Sequence, residues 1–311
     1  MTQPIEVSRL VKTFGDVHAL DGLNLIVPAG AVYGLIGRNG AGKTTALRCL
    51  MGLLRPTSGQ AHVLGLDMWS APGFIKSRVA YVSQTQQLHH WMTLEELGYY
   101  LSHFYEAWSD EEAGRLAKVF DLPAQRPIGQ MSGGQQRAAA IVLALATRPE
   151  VLILDEPAAA LDPIARRRLV EQLVRFVDEG QGTSGGQRTI LFSTHILSDL
   201  ERIADHVGLM DHGKLLTQGR LEDLRCRTRR VQVVFDGDGP PPGFAIPGAQ
   251  RVRVEGPVLT AVVRADDESE FDQLMLTPAA RVQLFPLGLE ELFIELLGPQ
   301  AGAELQESEV A

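Results

Sequence analysis

Apolar positions along the first 36 residues follow the period of strands. In GLNLIV, Leu23, Leu25 and Val27 alternate with polar or smaller neighbours, and VYGLI at 32–36 is an unbroken apolar run of buried-strand length. Similar runs recur as RVAYV around 79–82, VLILD at 151–155 and TILFS at 189–193. Between them the period becomes helical. The stretch from 93 to 147 reads as helix: Thr93 with Glu96 and Ser109 with Glu112 have capping-box spacing, and Leu116, Val119 and Phe120 share a face. A further helix is predicted from Pro163 to about Glu179, striped by Leu169, Leu173, Phe176 and Val177. VGLMDHGKLL at 207–216 reads as a hairpin. Apolar strands alternating with helices predict an α/β fold: a mostly parallel sheet covered on both faces, with a helical insertion at about 93–147.

The character changes near residue 225. VQVVF, QRVRVE and VLTAVVR are strand-like, the first two separated by the Pro/Gly-rich turn GDGPPPGFAIPGA, while ESEFDQLML and GLEELFIELL are helical. The expected organisation is a main domain at 1–224, a small α+β domain at 228–298 and a disordered acidic tail at 299–311.

With 311 residues, 45% apolar and 22% charged, the chain has the composition of a globular protein of two domains. A net charge of −9 argues against generic binding to nucleic acid. The one basic cluster, RCRTRR at 225–230, reads as a solvated linker ahead of a contact with anionic lipid or RNA. Cys49 and Cys226 form neither a disulfide framework nor a zinc pattern. The start MTQPIEVSRL lacks the apolar core of a signal peptide, and AAAIVLALA at 138–146 is too short to span a bilayer. If the protein works at a membrane, another chain is expected to cross it.

GRNGAGKT, from Gly37 to Thr44, is G-x-x-x-x-G-K-T between a strand and a helix, the arrangement that cradles phosphates on backbone N–H groups. Gly37, Asn39, Gly40, Ala41 and Gly42 supply the loop, with Thr45 just inside the helix. Lys43 reaches the β/γ-phosphates, and Thr44 offers its hydroxyl oxygen to Mg²⁺. Asp155, ending a buried strand, suits the metal's hydration shell, and Glu156 suits polarisation of the attacking water. Gln84, past RVAYV, is a candidate contact to Mg²⁺ or to that water, and His195, past TILFST, to the γ-phosphate. Asp162 before Pro163 reads both as part of the site and as a helix N-cap, and Phe14 reads as an adenine-stacking ring or a core residue.

Ser-Gly-Gly-Gln occurs twice. Ser132, Gly133, Gly134 and Gln135 precede a strong helix former, QQRAAAIVLALATRPE, where free N–H groups and the helix dipole converge on an anion. Ser184 precedes the β-branched run RTILFST instead, so the second copy is predicted to be a loop without a phosphate role.

These motifs in this order resemble the nucleotide-binding subunit of an ATP-binding cassette (ABC) transporter, over residues 1 to about 224. The resemblance makes Gly37–Thr44 the Walker A loop, Gln84 the Q-loop and Ser132–Gln135 the signature. It makes Asp155 and Glu156 the end of Walker B, Ala160–Asp162 part of the D-loop, and His195 the switch histidine. GLIGRNGAGKTT, LMGLLRPTSGQ, FSTHIL and PLGLEELFIELL are similar especially to stand-alone ATPases of bacterial exporters. What this implies is ATP and Mg²⁺ as ligands and a head-to-tail dimer of identical or paralogous chains, with each P-loop facing the partner's signature across ATP. It also implies a separate transmembrane permease subunit and a peripheral place on the cytoplasmic face of the membrane. In such subunits the surface after Gln84, here TQQLHHWMT, receives a short helix of the membrane partner. His89, His90 and Trp91 are candidates for that socket, an ordinary loop being the other reading. Three departures from the pattern stand out: Met131 for leucine, Phe14 for tyrosine, and Ala158-Ala159-Ala160-Leu161-Asp162 for Thr-Ser-Gly-Leu-Asp. A soluble ABC ATPase acting on nucleic acid or the ribosome is the alternative. The single cassette, the acidic charge and the lack of heptads disfavour it. The 228–298 domain reads as a ligand sensor or a dimer contact.

Overall fold

The alternation at the N-terminus folds into two long antiparallel strands, β1 (Ile5–Phe14) and β2 (Val17–Val27). VYGLI is β3 (Val32–Ile36), buried at every position. After α1 (Lys43–Leu50) the chain returns as β4 (Ser58–Val63) beside β1, giving a three-stranded sheet in the order β2-β1-β4. The sequence reading did not predict β4, because Ser58, Gly59 and Gln60 are all exposed and leave no alternation to read. A short α2 (Gly73–Lys76) leads into β5 (Val79–Val82). The structure is a computed structural model, and it describes residues 3–85, 88–180, 187–196, 201–241, 244–246, 248–264, 280–287 and 291–293.

The stretch from 93 to 147 resolves into α3 (Leu94–Ser102), α4 (Asp110–Val119), a 3-10 turn at Ile128–Gln130 and α5 (Gly133–Ala146). Thr93 caps α3 with a full capping box, whereas Ser109 caps α4 through the Glu112 N–H alone. The chain continues through β6 (Val151–Asp155), α6 (Pro163–Asp178), β7 (Thr189–Thr194), β8 (His206–Asp211) and β9 (Lys214–Arg220). Leu169, Leu173, Phe176 and Val177 are the buried stripe of α6.

Six strands form the main sheet in the order β5-β6-β7-β3-β8-β9. β3 runs parallel to β7 and β8, and β6 parallel to β5 and β7. β3, β6 and β7 are buried at every residue, as strands covered on both faces must be. Their carboxyl ends lie side by side. The loop after β3, the last residue of β6 and the residue after β7 therefore meet at one edge, where parallel α/β sheets place ligands.

The chain divides into two compact units, Met1–Gln218 and Gly219–Ala311. In the second, α7 (Leu221–Arg227) precedes β10 (Thr228–Phe235), β11 (Ala249–Glu255), β12 (Val258–Arg264) and β13 (Ala280–Pro286). These strands make an antiparallel sheet in the order β11-β12-β10-β13. Val231, Val233, Phe235, Leu259, Ala261 and Val263 form one buried face, and Phe244 from the Pro/Gly-rich connection packs edge-on against Phe235. Only three strands are predicted here from sequence; β13 is the fourth. Of the expected helices, ESEFDQLML lies outside the described residues, and only 291–293 of GLEELFIELL are described, as helix. Ser184 and the tail from Pro299 also lie outside them.

Candidate functional site

The loop after β3 takes its shape from approaches that only glycine permits. A Cβ on Gly37 would sit 2.3 Å from the Met210 carbonyl oxygen of β8, and one on Gly42 would sit 2.4 Å from that of Ala19. Gly42 also adopts φ 100, which turns the chain directly into α1. Arg38, Asn39 and Gly40 form the exposed crest, and Ala41 is buried beneath it. The first helical bond runs from Ala46 N to Gly42 O at 2.9 Å, which leaves the N–H groups of Lys43, Thr44 and Thr45 at the open end of the helix.

Lys43 folds back into this loop. Its Nζ donates to the carbonyls of Gly37 (2.7 Å) and Arg38 (3.2 Å) and lies 3.6 Å from Glu156 Oε1. Burial pulls the ammonium below its ordinary pKa, against the opposing pull of Glu156 and Asp155.

Asp155 is fully buried at the end of β6. Its Oδ1 accepts two hydroxyl protons, from Ser193 Oγ at 2.7 Å and Thr44 Oγ1 at 3.1 Å. Its Oδ2 is buried with no hydrogen-bond partner among the described residues. Glu156 follows at φ 53, left-handed backbone that non-glycine residues seldom adopt. Its N–H donates to Ser193 Oγ (3.0 Å) and to the Ser193 carbonyl (3.2 Å). Its Oε2 lies 2.6 Å from Nδ1 of His195, the half-exposed residue that follows β7. The adjacent carboxylates thus face different partners: Asp155 meets hydroxyls, Glu156 meets Lys43 and His195.

The other predicted residues surround this cluster. Gln84 is exposed beyond β5. Its carbonyl and that of Ser83 accept bonds of 2.7 and 2.5 Å from the Arg137 guanidinium, which is buried in α5. Burial lowers the pKa of Arg137, opposed by Asp155 and Glu156. Ser132 caps α5: its Oγ accepts from Gln135 N (3.2 Å), and Gln135 Oε1 accepts from Ser132 N (3.0 Å). Gly133 and Gly134 form the first turn, and a Cβ on Gly134 would meet the Ala160 carbonyl oxygen at 2.9 Å. Asp162 caps α6 through the N–H groups of Ile164 (2.9 Å) and Ala165 (2.8 Å), with Pro163 at the first helical position. Phe14 is half exposed, with Lys12 Nζ 5.0 Å from its ring centroid. It pairs with Val17, two residues from the Ala19 that touches Gly42.

One fold edge therefore joins Lys43, Thr44, Asp155, Glu156 and His195 by direct contact. In this chain the Ser132–Gln135 polar groups engage one another instead. Ser193 and Arg137 were not singled out from sequence. Their signals were a hydroxyl inside an apolar strand and a lone cation followed by an apolar helical run, both of which need a polar partner when buried.

A second feature lies past Gln84. His89 and Trp91 rings are 4.8 Å apart, and Tyr100 stacks toward Phe104 at 5.1 Å. Trp91 is 74% and Tyr99 71% exposed, and with Tyr100, His103 and Phe104 they line one open groove on α3. His90 is also exposed, and its carbonyl accepts the Gly129 N–H.

The ABC transporter family model matches residues 20–159, and a model described as an AAA domain, putative AbiEii toxin, type IV TA system, matches residues 121–198. The daunorubicin resistance ATP-binding protein DrrA3 of Streptomyces coeruleorubidus is 32% identical, over 94% of this chain and 96% of its own length. The chain belongs to the ABC transporter ATP-binding proteins. The daunorubicin/doxorubicin resistance ATP-binding protein DrrA of Streptomyces peucetius is 35% identical over 72% of this chain and 67% of its own. Among solved structures, the dimeric post-hydrolysis state of an ATP-binding cassette bound to ADP and Pi aligns with a TM-score of 0.60 and 25% identity, covering 70% of this chain and 98% of that one. As a member of this ATPase family the ABC subunit binds and hydrolyses ATP. The reading as a nucleic-acid or ribosome ATPase finds no support among these relatives.

Proposed function

We propose that this ABC subunit hydrolyses Mg²⁺-ATP between two copies of itself or a paralogue, at the cytoplasmic face of a membrane, to drive a separate permease that exports its cargo. The observation that carries the chemistry is the cluster at the sheet edge, where a phosphate loop, a buried aspartate and a glutamate–histidine pair converge. The N–H groups of Lys43, Thr44 and Thr45 at the open end of α1 and the Lys43 ammonium hold the phosphates, and Phe14 offers its open face to adenine. Among the described residues no three His, Cys, Asp or Glu side chains cluster as a metal cage. That fits Mg²⁺, which is held by one or two protein oxygens together with phosphates. Asp155 Oδ2 is an unclaimed buried acceptor beside the Thr44 oxygen, an all-oxygen donor set. Bound there, the ion would neutralise charge on the phosphates.

Glu156 is the general base in this reading. With Lys43 at 3.6 Å and His195 at 2.6 Å its carboxylate is held in place, and phosphates compete for Lys43. His195 touches the γ-phosphate in this reading, which its half-exposed ring supports. Gln84, held through its carbonyl by Arg137, is a candidate contact to the metal or the attacking water, and Ser132 to Gln135 offer a helix N-terminus to the partner's nucleotide. The dimeric cassette bound to ADP and Pi supports this assembly by similarity.

Among the described residues no helix is long and apolar enough to cross a membrane, so the spanning part is assigned to another chain. The groove on α3 is the surface for it: its exposed aromatics suit a short amphipathic helix. A relative named as a Nod factor export ATP-binding protein, 31% identical over 94% of this chain, supports export.

Glu156→Gln tests the chemistry. It should keep ATP affinity and slow turnover at least a hundredfold, the scale of a lost general base. Unimpaired steady-state turnover would refute the role.

A further inference from the structure

We propose that Ser193 is the positioning residue of the hydrolysis site: its one hydroxyl holds the Asp155 carboxylate and the Glu156 backbone N–H at the end of β6 and leaves Asp155 Oδ2 as the oxygen presented to the metal. The inference rests on the roles of Asp155 and Glu156 proposed above.

Ser193 is fully buried in β7, directly across the parallel ladder from Asp155, with Phe192 and Leu191 as apolar neighbours in its strand. A hydroxyl has one proton to give and lone pairs to receive with. The proton goes to Asp155 Oδ1 at 2.7 Å, and the oxygen receives the Glu156 N–H at 3.0 Å. The orientation of the hydroxyl is thereby determined from both sides.

Two consequences follow for the site. Oδ1 is engaged by both Ser193 and Thr44, so the carboxylate cannot rotate without breaking a buried charge-assisted bond, and Oδ2 stays free. The N–H bond also supports Glu156 at φ 53, the backbone turn that sends its side chain away from Asp155 to Lys43 and His195. Alanine removes the donor and the acceptor together while keeping the strand and nearly all the volume. Glu156 N–H would then keep only the Ser193 carbonyl at 3.2 Å.

The test uses the full chain and Mn²⁺ as probe. The ion is titrated in the presence of a non-hydrolysable ATP analogue, with free Mn²⁺ read by electron paramagnetic resonance. Ser193→Ala should raise the Mn²⁺ midpoint about tenfold, as loss of a partner that orients a ligand does, with analogue affinity in chelator unchanged. Ser193→Thr retains the hydroxyl and should lie near wild type. A wild-type midpoint in Ser193→Ala, with Asp155→Asn impaired, overturns the role of Ser193 alone. Equal losses in the alanine and threonine variants reduce Ser193 to packing and overturn it too. A wild-type midpoint in Asp155→Asn overturns the reading of the site itself.

Discussion

Ala160 carries a conformation its side chain does not favour. It sits at φ 65, exposed, in the segment where the family pattern has glycine. The left-handed region costs an L-residue about 1–2 kcal/mol, and glycine's extra freedom in the unfolded chain returns about 0.5–1 kcal/mol of that. Ala160→Gly should therefore stabilise the protein by roughly 0.5–1 kcal/mol, read as a higher urea midpoint at unchanged slope. A loss of stability would show that the exposed methyl contributes more than its backbone costs. Sequence alone revealed the missing glycine but not that the turn survives without it, because the φ angle is imposed by the flanking β6 and α6. Ser193 was hidden for a similar reason. A serine in an apolar strand reads as an interruption until the neighbouring strand is known to end in aspartate.

Elements were legible where burial on both faces left no ambiguity. VYGLI, VLILD and TILFS are apolar almost throughout and became β3, β6 and β7; the P-loop followed from its glycines and the strand before it. β4 escaped because its first half is exposed, and β13 because its described side chains are only exposed or half-buried, with Val282 and Leu284 turned inward. The aromatic groove was half legible: His89, His90 and Trp91 were named, whereas Tyr99, Tyr100 and Phe104 were not. Aromatics on a helix look the same whether they face a core or an absent partner, and here they are exposed. Trp91→Glu combined with Tyr99→Glu should abolish co-purification of the permease from detergent-solubilised membranes, with circular dichroism unchanged. Retention of the permease by that variant would remove the groove from the docking account.

At the scale of the whole molecule, the site is complete in its P-loop half and open in the other. Lys43, Thr44, Asp155, Glu156 and His195 are assembled within one chain, while Ser132 and Gln135 cap their own helix, the face proposed to meet a partner's nucleotide. Such an arrangement does work only if ATP binds the closed pair more tightly than the open one. The most direct measurement is the mass of the Glu156→Gln protein by light scattering, with and without Mg²⁺-ATP. The 33.9 kDa chain should double in mass on adding nucleotide, and return to the single mass when Ser132→Arg is added. A Glu156→Gln protein that stays at the single mass with ATP bound would contradict it.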